Sequence, residues 1–370
     1  MPPSRVIHRT AIPAAWRIVM CFLPLILAAC SNEQGGAGCD IPACGGDTLA
    51  AVLFCETENI RAALPADSIP SFADFIARLN RSADSLKGTP HDEGVTCADA
   101  ILDVVYRQWG IQFDADQDNL QSLLPHTVVE RKKGSCLGVS LLMLMLAERT
   151  NCPLYGVVLP GHFFVRLSID TLSRNIEPNR AGFCHPDAYY RQRYDVNEGS
   201  WYDMRNLTKK EACAVFYFNL GNMYRQRKRM QEALRCYHRS AEWLGGYAEA
   251  WGNMAIAFER IGKADSARAA FDRALEARPD LPNLALNRGA FELRHKRYSD
   301  ALAAFRQGLA YYPDDAGLYR GMAAAYRGMG RRDSAYMMMS RIGASGQAVD
   351  SARRRADNVI LYERNRRTTK

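Results

Sequence analysis

From Leu220 onward the chain repeats itself every 34 residues, and this period restricts the fold more than any other feature. Leu220, Gly221, Tyr224, Ala233 and Tyr237 return as Met254, Ala255, Phe258, Ala267 and Phe271. The same places then hold Arg288, Gly289, Glu292, Ala301 and Phe305, followed by Met322, Ala323, Tyr326, Ala335 and Met339. Pro279 and Pro313 close the second and third units. Small residues sit where two helices approach closely and large ones where they interlock, and a unit this short buries its apolar face only against its neighbours. Four stacked helical hairpins are therefore expected over residues 207–346. The capping-box pattern Thr208-Lys209-Lys210-Glu211 opens them, and a fragment starting near Asn206 is expected to fold alone. Arg288 and Glu292 replace apolar residues, which makes the third unit the least regular.

A second stretch, Arg131–Glu177, carries the chemistry. Gly134-Ser135 is a turn signal, and the apolar run Leu137–Glu148 is rich in helix formers, so Cys136 falls in the first helical turn. The positive end of the helix dipole and its unpaired amides favour thiolate over thiol there. Two short runs follow, Leu154–Leu159 and His162–Ile169, apolar and β-branched or aromatic, parted by Pro160-Gly161; they read as paired strands. His162 opens the second. Glu177 ends a third extended piece, Asn175-Ile176-Glu177, stopped by Pro178. A nucleophilic thiolate needs a base to carry its proton, and that imidazole needs a carboxylate to fix its tautomer and steady its charge. Cysteine, histidine and acid occur in that order. Asn119 and His126 lie just upstream, and nothing in the pattern singles them out.

This order, with the cysteine opening a helix and its partners on successive strands, resembles the transglutaminase-like branch of the papain-like thiol enzymes. The stretches L-P-G-H-F-F-V-R-L and N-I-E-P-N are similar to its short bacterial members, and the resemblance runs from about Asn119 to Leu207. It implies an α+β fold with Cys136 as nucleophile, His162 as base and Glu177 in place of the usual aspartate of an I-D-P-like motif. The implied activity is thiol-dependent acyl transfer or amide hydrolysis. The same branch includes members without the cysteine, and the alternative reading is a catalytically inactive scaffold for protein interaction or envelope assembly. The 34-residue units resemble tetratricopeptide repeats, which implies an all-α solenoid that binds a protein or peptide.

The start of the chain reads as a targeting segment. Arg5, Arg9 and Arg17 precede the apolar run Ile18–Ala29, which is too short to cross a bilayer as a helix. It ends in Leu27-Ala28-Ala29-Cys30, similar to the box of bacterial lipoproteins. That resemblance implies a signal peptide over 1–29, lipidation of Cys30 and a membrane-anchored place in the cell envelope, periplasm-facing, at the outer membrane where the host has two. Residues 30–46, glycine-rich and aperiodic, read as a tether. Of the 11 cysteines, setting aside Cys21, Cys30 and Cys136 leaves an even number, compatible with disulfides outside the cytoplasm. Cys39 and Cys44 form a short candidate loop, whereas Cys152 and Cys213 read as small core residues. No C-x-x-C or paired Cys/His spacing occurs, so no metal or other cofactor is expected.

The domain order that follows is 47–206 for the transglutaminase-like part, 207–346 for the repeats, and 347–370 for a basic capping helix and tail. Within the first, Leu49–Leu64, Phe72–Leu86 and Cys97–Trp109 have helical spacing and are expected beside the catalytic core. Arg180–Tyr202, rich in Tyr, Arg and Asp, reads as a long loop with one helical turn, bordering the cleft. The net charge of +8 is modest for 370 residues and does not mark a nucleic-acid binder. On the inner face of the solenoid Arg225, Arg260, Arg294 and Arg327 recur at similar repeat positions, candidates for a basic ladder that holds an acidic or C-terminal peptide. Asn222 and Asn253 match two asparagines of the carboxylate-clamp kind of repeat, but Phe218, Asn283 and Asn287 stand where its cations belong.

Overall fold

The computed structural model describes residues 48–64, 69–70, 72–87, 96–116, 119–170 and 172–342. The expected signal peptide, Cys30 with its tether, the Cys39–Cys44 loop and the basic segment 347–370 lie outside the described residues.

Among the described residues three helices come first: α1 (Thr48–Ala63), α2 (Phe72–Lys87) and α3 (Cys97–Leu102), the last continued by a π-helical stretch to Gln108. Two short strands, β1 (Gln112–Phe113) and β2 (Lys133–Gly134), pair in parallel and bracket α4 (Leu120–Leu123) and α5 (Pro125–Arg131). Then comes α6 (Cys136–Thr150), in which every residue from Leu137 to Ala147 is buried. A helix that is apolar all round belongs at the centre of a core, and α6 is packed by α1 to α5 and by the sheet. That sheet is antiparallel in the order β3 (Leu154–Leu159), β4 (His162–Ile169), β5 (Leu172–Ile176). The tight turn at Gly161, with φ +68°, pairs Leu159 with His162.

Two expectations are corrected here. Cys152 is not merely a small core residue: it forms a disulfide with Cys97, with Cα atoms 5.8 Å apart, tying the chain beyond the end of α6 to the start of α3. Cys213 does fit the expectation of a buried thiol. The one helical turn expected within Arg180–Tyr202 is longer than that, the two-turn helix α7 (Asp187–Tyr194).

The repeats form four helical hairpins among the described residues: α8 (Lys209–Gln226) with α9 (Met230–Trp243), α10 (Ala248–Arg260) with α11 (Ala264–Ala277), α12 (Pro282–Arg294) with α13 (Tyr298–Tyr311), and α14 (Ala316–Gly328) with α15 (Arg332–Ser340). Thr208 and Glu211 make the expected reciprocal capping box. The small-against-large logic also holds. A side chain at Gly221 would meet the Tyr237 ring at 2.6 Å, so only glycine lets α8 and α9 come this close.

Autonomous folding from Asn206 does not fit the packing. Ala212 through Phe218 of α8 are buried without a break, because this helix is both the first wall of the solenoid and a neighbour of α1, α6 and β3. One apolar core runs from Leu49 to Phe291. Polar locks reinforce the join: Arg235 pairs with the buried Glu56 at 2.7 Å, and Lys209 donates to the Leu154 carbonyl at 2.7 Å. Trp201 stacks on Tyr247 at 5.4 Å, and the Tyr202 hydroxyl donates to the buried Glu249.

Candidate active site

The helix start at Cys136 is built by two serines. Ser135 is the N-cap; its Oγ accepts the Gly138 N–H at 3.1 Å and donates to the Ser122 carbonyl at 3.0 Å. The Ser135 N–H also donates to that carbonyl, at 2.8 Å. Cys136 is thus the first residue of α6, half-buried and held at the positive end of the helix dipole.

His162 and Glu177 come from neighbouring segments of the sheet, and the structure brings them together. His162 Nε2 lies 2.9 Å from Glu177 Oε2, both side chains almost fully buried. Cys136 lies close enough to act on the His162 imidazole. Burial alone pulls the His162 pKa down, but the hydrogen bonds and charges of Cys136 and Glu177 outweigh it and hold the imidazole up at about 9. For Glu177, burial works upward and is overcome by the His162 bond and charge, the Asn179 N–H and the Tyr190 hydroxyl, so its carboxyl is held below the usual carboxylate range. The longer side chain is accommodated by a local cap: Glu177 Oε1 accepts the Asn179 N–H at 3.1 Å at the start of a short 3-10 turn.

The side chains that wall the imidazole come from α7. Tyr194 stacks on His162 at 5.0 Å with an interplanar angle of 1°, and Tyr190 reaches Glu177 with its hydroxyl at 3.3 Å. The four-residue spacing of these tyrosines, one helical turn, is the signal that was available. Asn119 caps α4 through its side chain. His126 is buried against Phe72 and Phe75, with ring centroids 5.1 and 6.3 Å away, and desolvation pushes it down to about 4. It is a core histidine.

Comparison with known proteins bears out the two fold types. Residues 73–207 match the model of the transglutaminase-like superfamily, and residues 211–280, 253–317 and 292–356 match three models of tetratricopeptide repeats. The chain joins a transglutaminase-like domain to tetratricopeptide repeats. A UPF0162 protein of Xylella fastidiosa (strain 9a5c) is 27% identical over 170 residues, which is 44% of this chain and 60% of that protein. Its counterpart in strain Temecula1 is 26% identical over the same length. The match therefore spans 60% of the length of these curated relatives. Among solved structures, a crystal structure of MamA protein is 18% identical with a TM-score of 0.34, covering 37% of this chain and 75% of that one. MamA from Desulfovibrio magneticus RS-1 is 24% identical with a TM-score of 0.32, covering 39% and 90%.

The tetratricopeptide arginines do not make a row of open cations. Arg225 is 7% exposed and donates to the Tyr237 hydroxyl at 3.2 Å. Arg294 is held by both oxygens of Glu259 at 2.7 Å, a carboxylate from the preceding repeat. Arg260 and Arg327 lie on the surface. The two clamp-like asparagines bond each other, Asn253 Nδ2 donating to Asn222 Oδ1 at 2.8 Å.

Proposed function

We propose that the transglutaminase-like domain is a cysteine-dependent enzyme that performs acyl transfer or amide hydrolysis, and that the tetratricopeptide repeats hold its protein partner or substrate. The observation that carries this reading is the 2.9 Å contact between His162 and Glu177, made by two buried groups on the flank of a cysteine that opens a helix. In the reaction the Cys136 thiolate attacks an amide carbonyl carbon, and the helix-start amides of Cys136 and Leu137 receive the negative charge on oxygen. Gly138 and Val139 are not needed for this, since their N–H groups are taken by Ser135. The His162 imidazolium then gives its proton to the leaving amine as the C–N bond breaks, which leaves a thioester on Cys136 and a neutral imidazole. Water or a second amine attacks the thioester while His162 takes its proton, and thiolate departs. Glu177 stays ionised throughout and orients the ring.

The same proposal places the protein in the cell envelope, anchored by a lipid on Cys30. The Leu27-Ala28-Ala29-Cys30 box supports it, and so does the Cys97–Cys152 disulfide, a bond that persists in oxidising compartments. Mass spectrometry of the mature N-terminus tests this part; a mature chain that starts elsewhere than at an acylated Cys30 would sink it.

The catalytic reading is tested by iodoacetamide labelling of the purified protein across pH, with the Cys136 peptide followed by mass spectrometry. Labelling of Cys136 is expected to be fast at neutral pH and to slow in His162→Ala. A labelling profile untouched by His162→Ala would leave the chain a non-catalytic scaffold that acts through its repeats.

A further inference from the structure

Glutamate carries one more rotatable bond than the aspartate usual at this place, and holding it still has an entropic cost. The carboxylate of Glu177 is bound at both oxygens. Oε1 takes the Asn179 N–H, and Oε2 takes both His162 Nε2 and the hydroxyl of Tyr190. Tyr190 has no solvent exposure, and its ring stacks on Phe164 of β4 at 4.3 Å. Burial and the Glu177 charge both push its phenol pKa far up, so the hydroxyl stays protonated and remains a donor.

The helix that presents Tyr190 is itself fastened to the strands of the triad. Asp187, its first residue, accepts from Arg166 of β4 at 2.8 Å and from Asn175 of β5 at 2.7 Å. Arg166 and Asn175 also bond each other at 2.7 Å, and Asn175 donates to the His185 carbonyl at 3.0 Å. His162 starts β4 and Glu177 follows β5, so the donor, the carboxylate and the imidazole are mounted on one rigid frame.

We propose that Tyr190 is a positioning residue of the triad: its hydroxyl fixes the longer Glu177 side chain against His162 and thereby supports the reactivity of Cys136. This rests on the catalytic reading above. The ring of Tyr190 packs whether or not it carries oxygen, so Tyr190→Phe removes the hydroxyl and keeps the wall.

The test compares wild type, Tyr190→Phe, Glu177→Gln, the double variant and His162→Ala in full-length protein. The readout is the rate of iodoacetamide labelling at the Cys136 peptide from pH 5 to pH 10. Tyr190→Phe is expected to label about tenfold more slowly at pH 7, as befits loss of a hydrogen bond to a charged group, with its profile shifted. In the Glu177→Gln background the same change should have no further effect, because the hydroxyl acts through that carboxylate. Labelling of Tyr190→Phe at the wild-type rate, while His162→Ala is slow, would overturn the positioning role and leave the triad standing. An equal loss from Tyr190→Phe with and without the Glu177 charge would overturn it too. If His162→Ala labels like wild type, the catalytic reading fails and this inference falls with it.

Discussion

Glu292 is completely buried and accepts from Arg288, one helical turn before it on α12, and from Arg268 on α11 at 2.9 Å. These two residues of the third repeat depart from the apolar pattern together, and each accounts for the other. Both arginines also lie over the Phe291 ring, within 5.8 Å of its centroid.

Glu292→Ala removes the carboxylate that Arg288 and Arg268 share and leaves Arg288 with Asp272 at 3.0 Å, so it is expected to destabilise the protein by about 2 to 3 kcal/mol, the order of a hydrogen bond to a charged group. Replacing both residues, as Arg288→Leu with Glu292→Leu, should restore most of that, because Arg268 retains the exposed Asp265 at 2.9 Å. Urea denaturation of the three proteins measures it. A double variant no more stable than the single one would show that the pair does more than satisfy itself.

The pH dependence of stability follows from His162. Its pKa is raised from the ordinary 6.5 to about 9 in the folded protein, so its contribution is complete below about 6.5 and is lost as pH climbs through about 9. Glu177, held below its ordinary 4.5, supplies the complementary charge until pH falls through its own lowered value. The stability advantage of wild type over Glu177→Gln should therefore shrink steadily between pH 6.5 and 9. Urea midpoints across that range check it, and an advantage that grows with pH would contradict the assignment.

The Cys97–Cys152 bridge closes a loop with a sequence separation of 55. Constraint of the unfolded chain by a loop of that size stabilises by about 4 kcal/mol in the chain-entropy account. Cys97→Ala with Cys152→Ala should lower stability by that order, with the effect absent when wild type is compared under reducing conditions. Denaturation with and without dithiothreitol decides it.

Much of the fold was legible because local chemistry and global packing agree. Leu154–Leu159 and His162–Ile169 appear as strands at the bounds that their β-branched and aromatic runs and Pro160-Gly161 imply. Cys136, His162 and Glu177 could be picked out because thiolate chemistry needs that set. The helix Asp187–Tyr194 was not legible by hydrophobic periodicity: its inward side is made of tyrosines, held by stacking on His162 and Phe164 and by the Asp187 ion pair with Arg166. Pairing of Cys152 with Cys97 depends on where α3 meets the end of α6, which spacing does not encode. The apolar run Ala212–Phe218 did carry the signal of a helix buried on every side, but the repeat period alone treats α8 as an ordinary first helix.

The placement of Cys136, the proposed nucleophile, depends on a glycine. Gly138 lies in the first turn of α6, where a Cβ would collide with the Ser122 carbonyl oxygen. That oxygen has little room to move, since it accepts from both the Ser135 N–H and the Ser135 hydroxyl, while Ser122 Oγ is tied to Asp114 and Arg131. In Gly138→Ala the helix start must therefore shift, carrying Cys136 away from His162. A displacement of about 1 Å in a reacting group can cost about 100-fold in rate, so His162-dependent labelling of Cys136 should fall by that order. Gly245→Ala is the control, because a Cβ there meets nothing within 4 Å. Circular dichroism should show helix content unchanged in both variants. Wild-type labelling in Gly138→Ala would mean that the position of the helix start does not govern the thiol.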